Sequence, residues 1–217
     1  MPIIRSASEL VYFVHIPKCA GVSVQTYLKT VSDGRIAFLD NSYGKIDPAR
    51  RWSKTSPQHI DGYSLSRLFP DSFFDSIFTI VRDPVARFES AFNFNKYVQK
   101  SIQPSMTIND FVTRIDAQSV NTLGFHDGHF MPAYRFMYPG RNTTVFKLEN
   151  GLDGVKRHID LFLFGRPLDV EIPHLNARKS HAETVDEAPL SLTSIEKLYA
   201  LYAKDYKAFG YVKKDGR

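Results

Sequence analysis

Two short runs stand out along the chain, Val11–Ile16 and Ser76–Val81, in which almost no polar side chain interrupts the apolar ones. Runs that short and that apolar fit strands buried on both faces of a sheet. Thr144–Leu148 reads as a third strand and Ile36–Asp40 as another. Elsewhere apolar residues recur every three or four positions, which places them on one face of a helix. Helices are expected at Val22–Val31, at Tyr63–Phe69 closed by Pro70, at Ile108–Ile115 and at about Leu152–Leu163. A longer one should run from Asp83 to about Gln99, with Asp83 as N-cap, Pro84 in the first helical position, and Val85, Phe88 and Phe92 on one face. The last helix is expected to open on a capping box, Thr193 to Glu196, and to bury Ile195, Leu198, Tyr199, Tyr202, Tyr206 and Phe209 as a core stripe. Asn41–Pro57 is polar and irregular. Alternating strands and helices predict an α/β fold around a central, mainly parallel sheet flanked by helices. Ligands of such sheets bind beyond the carboxyl ends of the strands.

Composition narrows the picture. The 217 residues, 43% of them hydrophobic, suit a single domain over 1–217 with a full core. The aliphatic and Phe content excludes a disordered chain. No stretch approaches the ~18 apolar residues of a membrane span, and Met1–Val14 reads as strand rather than signal peptide. The formal charge of +5 favours anions without choosing among them, and no Lys/Arg run is long enough for a nucleic-acid arm. The single cysteine, Cys19, allows no intrachain disulfide, which points to a reducing compartment, the cytoplasm. Asn142-Thr143-Thr144 is formally a glycosylation sequon and, without a secretion signal, is read as coincidence.

Two segments at strand ends carry candidate chemistry. In His15-Ile16-Pro17-Lys18-Cys19-Ala20-Gly21-Val22-Ser23 a buried strand ends, small residues turn the chain and a helix begins. Backbone N–H groups at such a helix start favour an anion, Lys18 adds a mobile positive charge, and Ser23 adds a hydroxyl. Ala20 and Gly21 are small enough to let the backbone approach an anionic oxygen. The lysine precedes the glycine, unlike the G-x-x-x-x-G-K-[ST] nucleotide loop. His15, at the end of a buried strand, is expected to be packed. In Val81-Arg82-Asp83-Pro84-Val85-Ala86-Arg87-Phe88-Glu89-Ser90, Arg82 sits at a strand end and Ser90 lies about two helical turns beyond the cap. A phosphate there would take a guanidinium from one and a hydroxyl bond from the other. His126 and His129 form an incomplete metal pattern and are read as acceptor-pocket or structural residues.

Together these motifs resemble the PAPS-dependent sulfotransferases, nearest to the group that includes heparan sulfate 2-O-sulfotransferase and its small bacterial relatives (sulfotransferase family 2); PAPS is 3′-phosphoadenosine 5′-phosphosulfate. That family has a His-Ile-Pro-Lys-Thr-Gly-Gly-Thr-Ser type loop for the 5′-phosphosulfate and an Arg-Asp-Pro-x-x-Arg-x-x-Ser type segment for the 3′-phosphate. Cys19, Ala20 and Val22 depart from the family's Thr, Gly and Thr. Looser likenesses are Gln58-His59 with Ser64–Phe69, Val145–Asn150, Leu175–Ser180, His129-Phe130-Met131-Pro132 and the ending Asp205–Tyr211.

The resemblance implies a P-loop-like three-layer fold, PAPS as co-substrate, no metal, and a hydroxyl-bearing acceptor, possibly a carbohydrate. It implies donor contacts from Lys18, Cys19, Ala20, Gly21, Val22, Ser23, Arg82 and Ser90, with Arg178 and Lys179 on a late loop over the nucleotide. It implies His59 as general base, with His129 next in line, and Lys18 as the charge that stabilises the leaving phosphate. Arg50, Arg51 and Lys54 near His59 either favour an acidic glycan or form a solvated loop. Two alternatives stand beside this reading. A P-loop-type phosphotransferase would need a terminal Gly-Lys-Ser/Thr and a magnesium carboxylate, neither of which is found; an anion- or glycan-binding module would turn over no PAPS.

Overall fold

The computed structural model describes residues 2–6, 9–40, 42–175 and 189–214. They fall into two compact units, Met1–Val81 with Arg135–Leu175, and Arg82–Tyr134 with Asn176–Arg217. No helix among the described residues is long and apolar enough to cross a membrane.

The first unit holds a five-stranded sheet. Its strands are β1 (Ile3–Arg5), β2 (Leu10–Val14), β3 (Ile36–Ala37), β4 (Ser76–Val81) and β5 (Thr144–Lys147), in the order β3-β1-β2-β4-β5. β2, β4 and β5 are parallel, whereas β1 is antiparallel to both β2 and β3. The sheet is therefore mixed, with β1 alone running against the other four strands. The amino-terminal segment makes an antiparallel hairpin with β2, and the polar Ser6 and Glu9 at its turn gave no sign of parallel pairing. β3 stops at Ala37 because Phe38 turns left-handed, at φ 67°, so the strand expected to Asp40 is only two residues long. β2 ends at Val14, short of Ile16. There the Val14 carbonyl accepts from the Thr79 hydroxyl at 2.8 Å and from the Ile16 N–H at 3.1 Å as the chain turns away.

Helices α1 (Gly21–Val31) and α6 (Asp153–Phe164) cover one face, closing with Ile4, Val11 and Phe78 around a small apolar cavity. Buried Asp160 ties them together. It accepts from the Tyr27 hydroxyl, from Lys156 Nζ at 3.0 Å and from the Leu168 N–H at 2.9 Å. Burial alone would raise this carboxyl, but those hydrogen bonds and the Lys156 charge carry it below the usual carboxylate range. On the opposite face Tyr12 stacks on Phe74 at 5.1 Å. Helix α2 (Gly62–Leu68) is capped by Asp61, whose carboxylate accepts from the Ser64 N–H at 3.1 Å.

The second unit is helical: α3 (Pro84–Asn93), α4 (Ile108–Arg114), α5 (Ala117–Asn121), α7 (Leu192–Leu201) and α8 (Ala203–Phe209). Its core is aromatic, with Phe88, Phe92, Phe111, Phe130 and Tyr202 buried together beside Val85 and Leu198. Burying each such side chain contributes about 1.5–3 kcal/mol. Asp83 and Pro84 start α3 as read from the sequence, but after Asn93 the helix widens into one π-helical turn, Phe94–Val98. The last helix differs in two ways. Ser191, not Thr193, is its N-cap, accepting from the Ser194 N–H at 3.2 Å, and Tyr202 breaks it into α7 and α8. The stripe still faces the core through Ile195, Leu198, Tyr202, Tyr206 and Phe209, while Tyr199 is half-buried.

Candidate active site

β2, β4 and β5 point the same way, so their carboxyl ends share one edge of the sheet. The loop leaving β2 there is shaped by backbone handedness. Lys18 and Ala20 are left-handed, at φ 67° and 60°, on either side of Cys19, which is not. Alternating hands turn successive N–H groups to one side and form an anion-binding concavity. Cys19 is buried, its thiol donating to the Pro17 carbonyl at 3.7 Å, so this side chain packs inward. The 11-residue helix α1 follows with no side-chain cap and no acid in its first turn. Its N-terminal dipole is therefore left to attract an external anion.

Gly21 is required for a reason the sequence hid: a Cβ there would overlap Nε2 of His15. Ala20 stands in a backbone state that suits glycine. Left-handed strain of about 1–2 kcal/mol exceeds the ~0.4–1 kcal/mol of unfolded-state entropy that a glycine adds. Ala20→Gly should therefore raise the unfolding free energy by roughly 0.5–1 kcal/mol in urea titration. A loss would contradict this reading of the loop. Val22 is exposed, as a residue facing a ligand would be. Ser23 is buried, and its Oγ accepts from the Leu175 N–H at 3.1 Å, leaving the hydroxyl hydrogen to donate elsewhere. This bond anchors the late segment to α1 at Leu175; Arg178 and Lys179 lie outside the described residues.

His59 ends a short 3₁₀ turn, Pro57–His59, and is buried. Three residues on, Gly62 at the start of α2 leaves no room for a Cβ against the Met137 carbonyl. The His59 ring meets that of His15 edge to face, with centroids 5.0 Å apart at 73°. The fold thus brings the His59 segment against the Lys18 loop, which no spacing in the sequence revealed. His15, read as merely packed, forms the wall between them. The Arg51 guanidinium is engaged with the Ile46 and Gly44 carbonyls at 2.9 and 2.8 Å, whereas Arg50 and Lys54 are exposed.

In the second unit Arg82, half-buried, directly precedes the cap, and Asp83 accepts from the Ala86 N–H at 2.9 Å. Asp83 therefore does capping work, as Pro84 beside it implied. Ser90 is half-buried on α3. The arginine of the same motif that the sequence left without a role, Arg87, is 1% exposed. It donates to the His129 and Met131 carbonyls at 3.2 and 2.6 Å and lies 5.6 Å from the Tyr202 ring centre. Buried Asp205 accepts from the Ala133 and Tyr134 N–H groups at 2.7 and 2.9 Å. Burial raises the Asp205 carboxyl and the Arg87 charge pulls it back down. The two residues brace 129–134 from either end.

His129 is buried, and its Nδ1 lies 2.9 Å from Nδ2 of Asn95, in the π-helical turn. That amide nitrogen donates also to the Ala91 carbonyl at 2.8 Å, and the Asn95 Oδ1 accepts from Ser101 at 2.9 Å. An amide nitrogen only donates, so Nδ1 of His129 accepts and neutral His129 carries its proton on Nε2. Ahead of it, His126 and Asp127 are left-handed at φ 45° and 54°, and burial lowers the His126 pKa.

The family model described as the sulfotransferase family matches residues 2–212, nearly the whole chain. The chain belongs to the sulfotransferase family. A protein-tyrosine sulfotransferase of Arabidopsis thaliana is 32% identical over 108 residues, which is 48% of this chain and 21% of that protein. The match thus spans about a fifth of the relative's length. No solved structure matches the chain.

Proposed function

We propose that the protein transfers a sulfuryl group from PAPS to a hydroxyl acceptor by in-line displacement. The observation that carries this reading is the concave, uncapped loop from Lys18 to Ser23 with a buried histidine, His59, packed against its wall. Such a loop fits the 5′-phosphosulfate through the N–H groups of Cys19 to Ser23, the Lys18 ammonium and the Ser23 hydroxyl. Arg82 and Ser90 are assigned to the 3′-phosphate, and Arg178 and Lys179 to the nucleotide from the late loop. PAPS supplies an activated sulfuryl group. Lys18 stabilises charge that grows on the departing phosphate oxygen, and His59 takes the acceptor's proton. The locked tautomer of His129 supports His59 over His129, since a ring nitrogen carrying a proton accepts none. No metal ion has a part in this scheme.

The family match runs through both units, which supports one catalytic domain over 1–217 with a P-loop-like arrangement around the sheet. A carbohydrate hydroxyl is the acceptor favoured by the likeness to glycan sulfotransferases. A tyrosine phenol is the second reading, favoured by the Arabidopsis relative. The single, buried thiol suits a reducing cytoplasm.

Donor chemistry is testable without knowing the acceptor. PAP, the 3′,5′-bisphosphate product, should bind and raise the melting temperature, because it favours the native state by mass action. ATP, lacking a 3′-phosphate, should bind at least about tenfold more weakly, and Arg82→Ala should remove most of that preference. Equal affinities for PAP and ATP in calorimetry would sink the assignment.

A further inference from the structure

We propose that His15 is a positioning residue of the transfer reaction, which fixes the ring of His59 and is itself fixed by Gln25 as the neutral tautomer protonated on Nε2. The inference rests on His59 as the base and adds two residues to that reading. Gln25, on α1, places Nε2 2.6 Å from Nδ1 of His15, and both side chains are buried. The amide nitrogen has hydrogens and no lone pair to offer, so Nδ1 of His15 accepts. A neutral imidazole that accepts on Nδ1 carries its proton on Nε2. An imidazolium would instead set two donors against each other at this distance, so Gln25 opposes protonation of His15.

The rest of the ring is as closely held. Phe13 stacks on it, with centroids 5.9 Å apart at 9°, and Gly21 passes beneath Nε2 with no room for a Cβ. Another side makes the edge-to-face contact with His59. His15 therefore joins the first residue of α1 to the base, and the loop that receives the donor and the group that accepts the proton are set by one side chain.

Gln25→Glu is the test, being isosteric and inverting the bond. A carboxylate at this place accepts from Nδ1–H, which moves the ring proton to Nδ1 and favours the imidazolium. Three readings are taken from parent and variant: the melting temperature, the ¹⁵N spectrum of the His15 ring with PAP present, and turnover of PAPS at saturating acceptor. Expected are an Nε2–H tautomer in the parent, an Nδ1–H tautomer or imidazolium in Gln25→Glu, turnover lower by about 10–100-fold, and PAP affinity within about threefold of the parent. Gln25→Leu, which leaves Nδ1 without a donor, should lose less turnover than Gln25→Glu, an order that a purely space-filling role would not produce. An Nδ1–H tautomer in the parent overturns the inference, as does parental turnover in a folded Gln25→Glu. A parent that turns over no PAPS overturns the transfer reading instead, and the ring spectrum still decides the tautomer.

Discussion

His59→Ala is expected to lower PAPS turnover by about 10²–10⁴-fold while PAP affinity stays within about threefold, because the role proposed for the ring is on the acceptor proton and not on the nucleotide. Lys18→Ala is the control. Lys18 is assigned to the leaving phosphate and Arg82 to the 3′-phosphate, so Lys18→Ala should lose turnover at saturating donor, whereas Arg82→Ala should lose mainly affinity. His129→Ala serves as the contrast: its ring is buried with Nδ1 engaged by Asn95, so its loss should appear as reduced stability before reduced chemistry. Turnover of His59→Ala within a few-fold of the parent, in steady-state assays with PAPS and an accepted hydroxyl, would remove it as the base.

Arg87→Ala is expected to be the most destabilising single change in the second unit, at about 3–5 kcal/mol in denaturant titration near neutral pH. The guanidinium is buried, satisfies two backbone carbonyls and offsets the buried Asp205 charge. Removing it strands both carbonyls and an uncompensated carboxylate. The pH dependence follows from the direction of the Asp205 shift. Its carboxyl is raised in the folded state, so its contribution is fully present below the unfolded pKa and is lost as pH rises through the folded value. Without Arg87 the upward shift grows, so the deficit of Arg87→Ala should shrink on acidification into the carboxylate range. A deficit independent of pH would mean that Asp205 does not sense Arg87.

The elements that the sequence disclosed were those with a local cause. Asp83-Pro84 forces a helix start, a mostly apolar run marks the buried strand β4, and three- and four-residue spacing marks α6 and the last stripe. What stayed hidden depended on partners far along the chain. The antiparallel pairing of β1 arises from its meeting with β2, Phe38 ends β3 through a backbone angle that Phe rarely adopts, and the π turn at Phe94–Val98 carries no composition cue. The turn from Lys18 into α1 was legible because a strand-to-helix connection of this kind is built from contiguous chain. His15 and Gln25 were passed over because a histidine at a strand end looks like any packed one. Arg87 lay within the motif that drew attention to Arg82, yet its role needed Asp205, 118 positions away in the numbering. The contact of His15 with His59 joins segments separated by α1 and β3, and nothing short of the fold brings them together.

The central claim is that this chain moves a sulfuryl group from PAPS to a hydroxyl, and one measurement bears on it directly. The purified protein is incubated with [³⁵S]PAPS and a panel of sugar and tyrosine acceptors, and both PAP release and label on the acceptor are followed. The account predicts acceptor-dependent PAP formation, with label transferred in equal amount and lost in Lys18→Ala. PAP formation absent across the panel, in a protein shown by calorimetry to bind PAP, would contradict catalysis and leave an anion-binding module in its place.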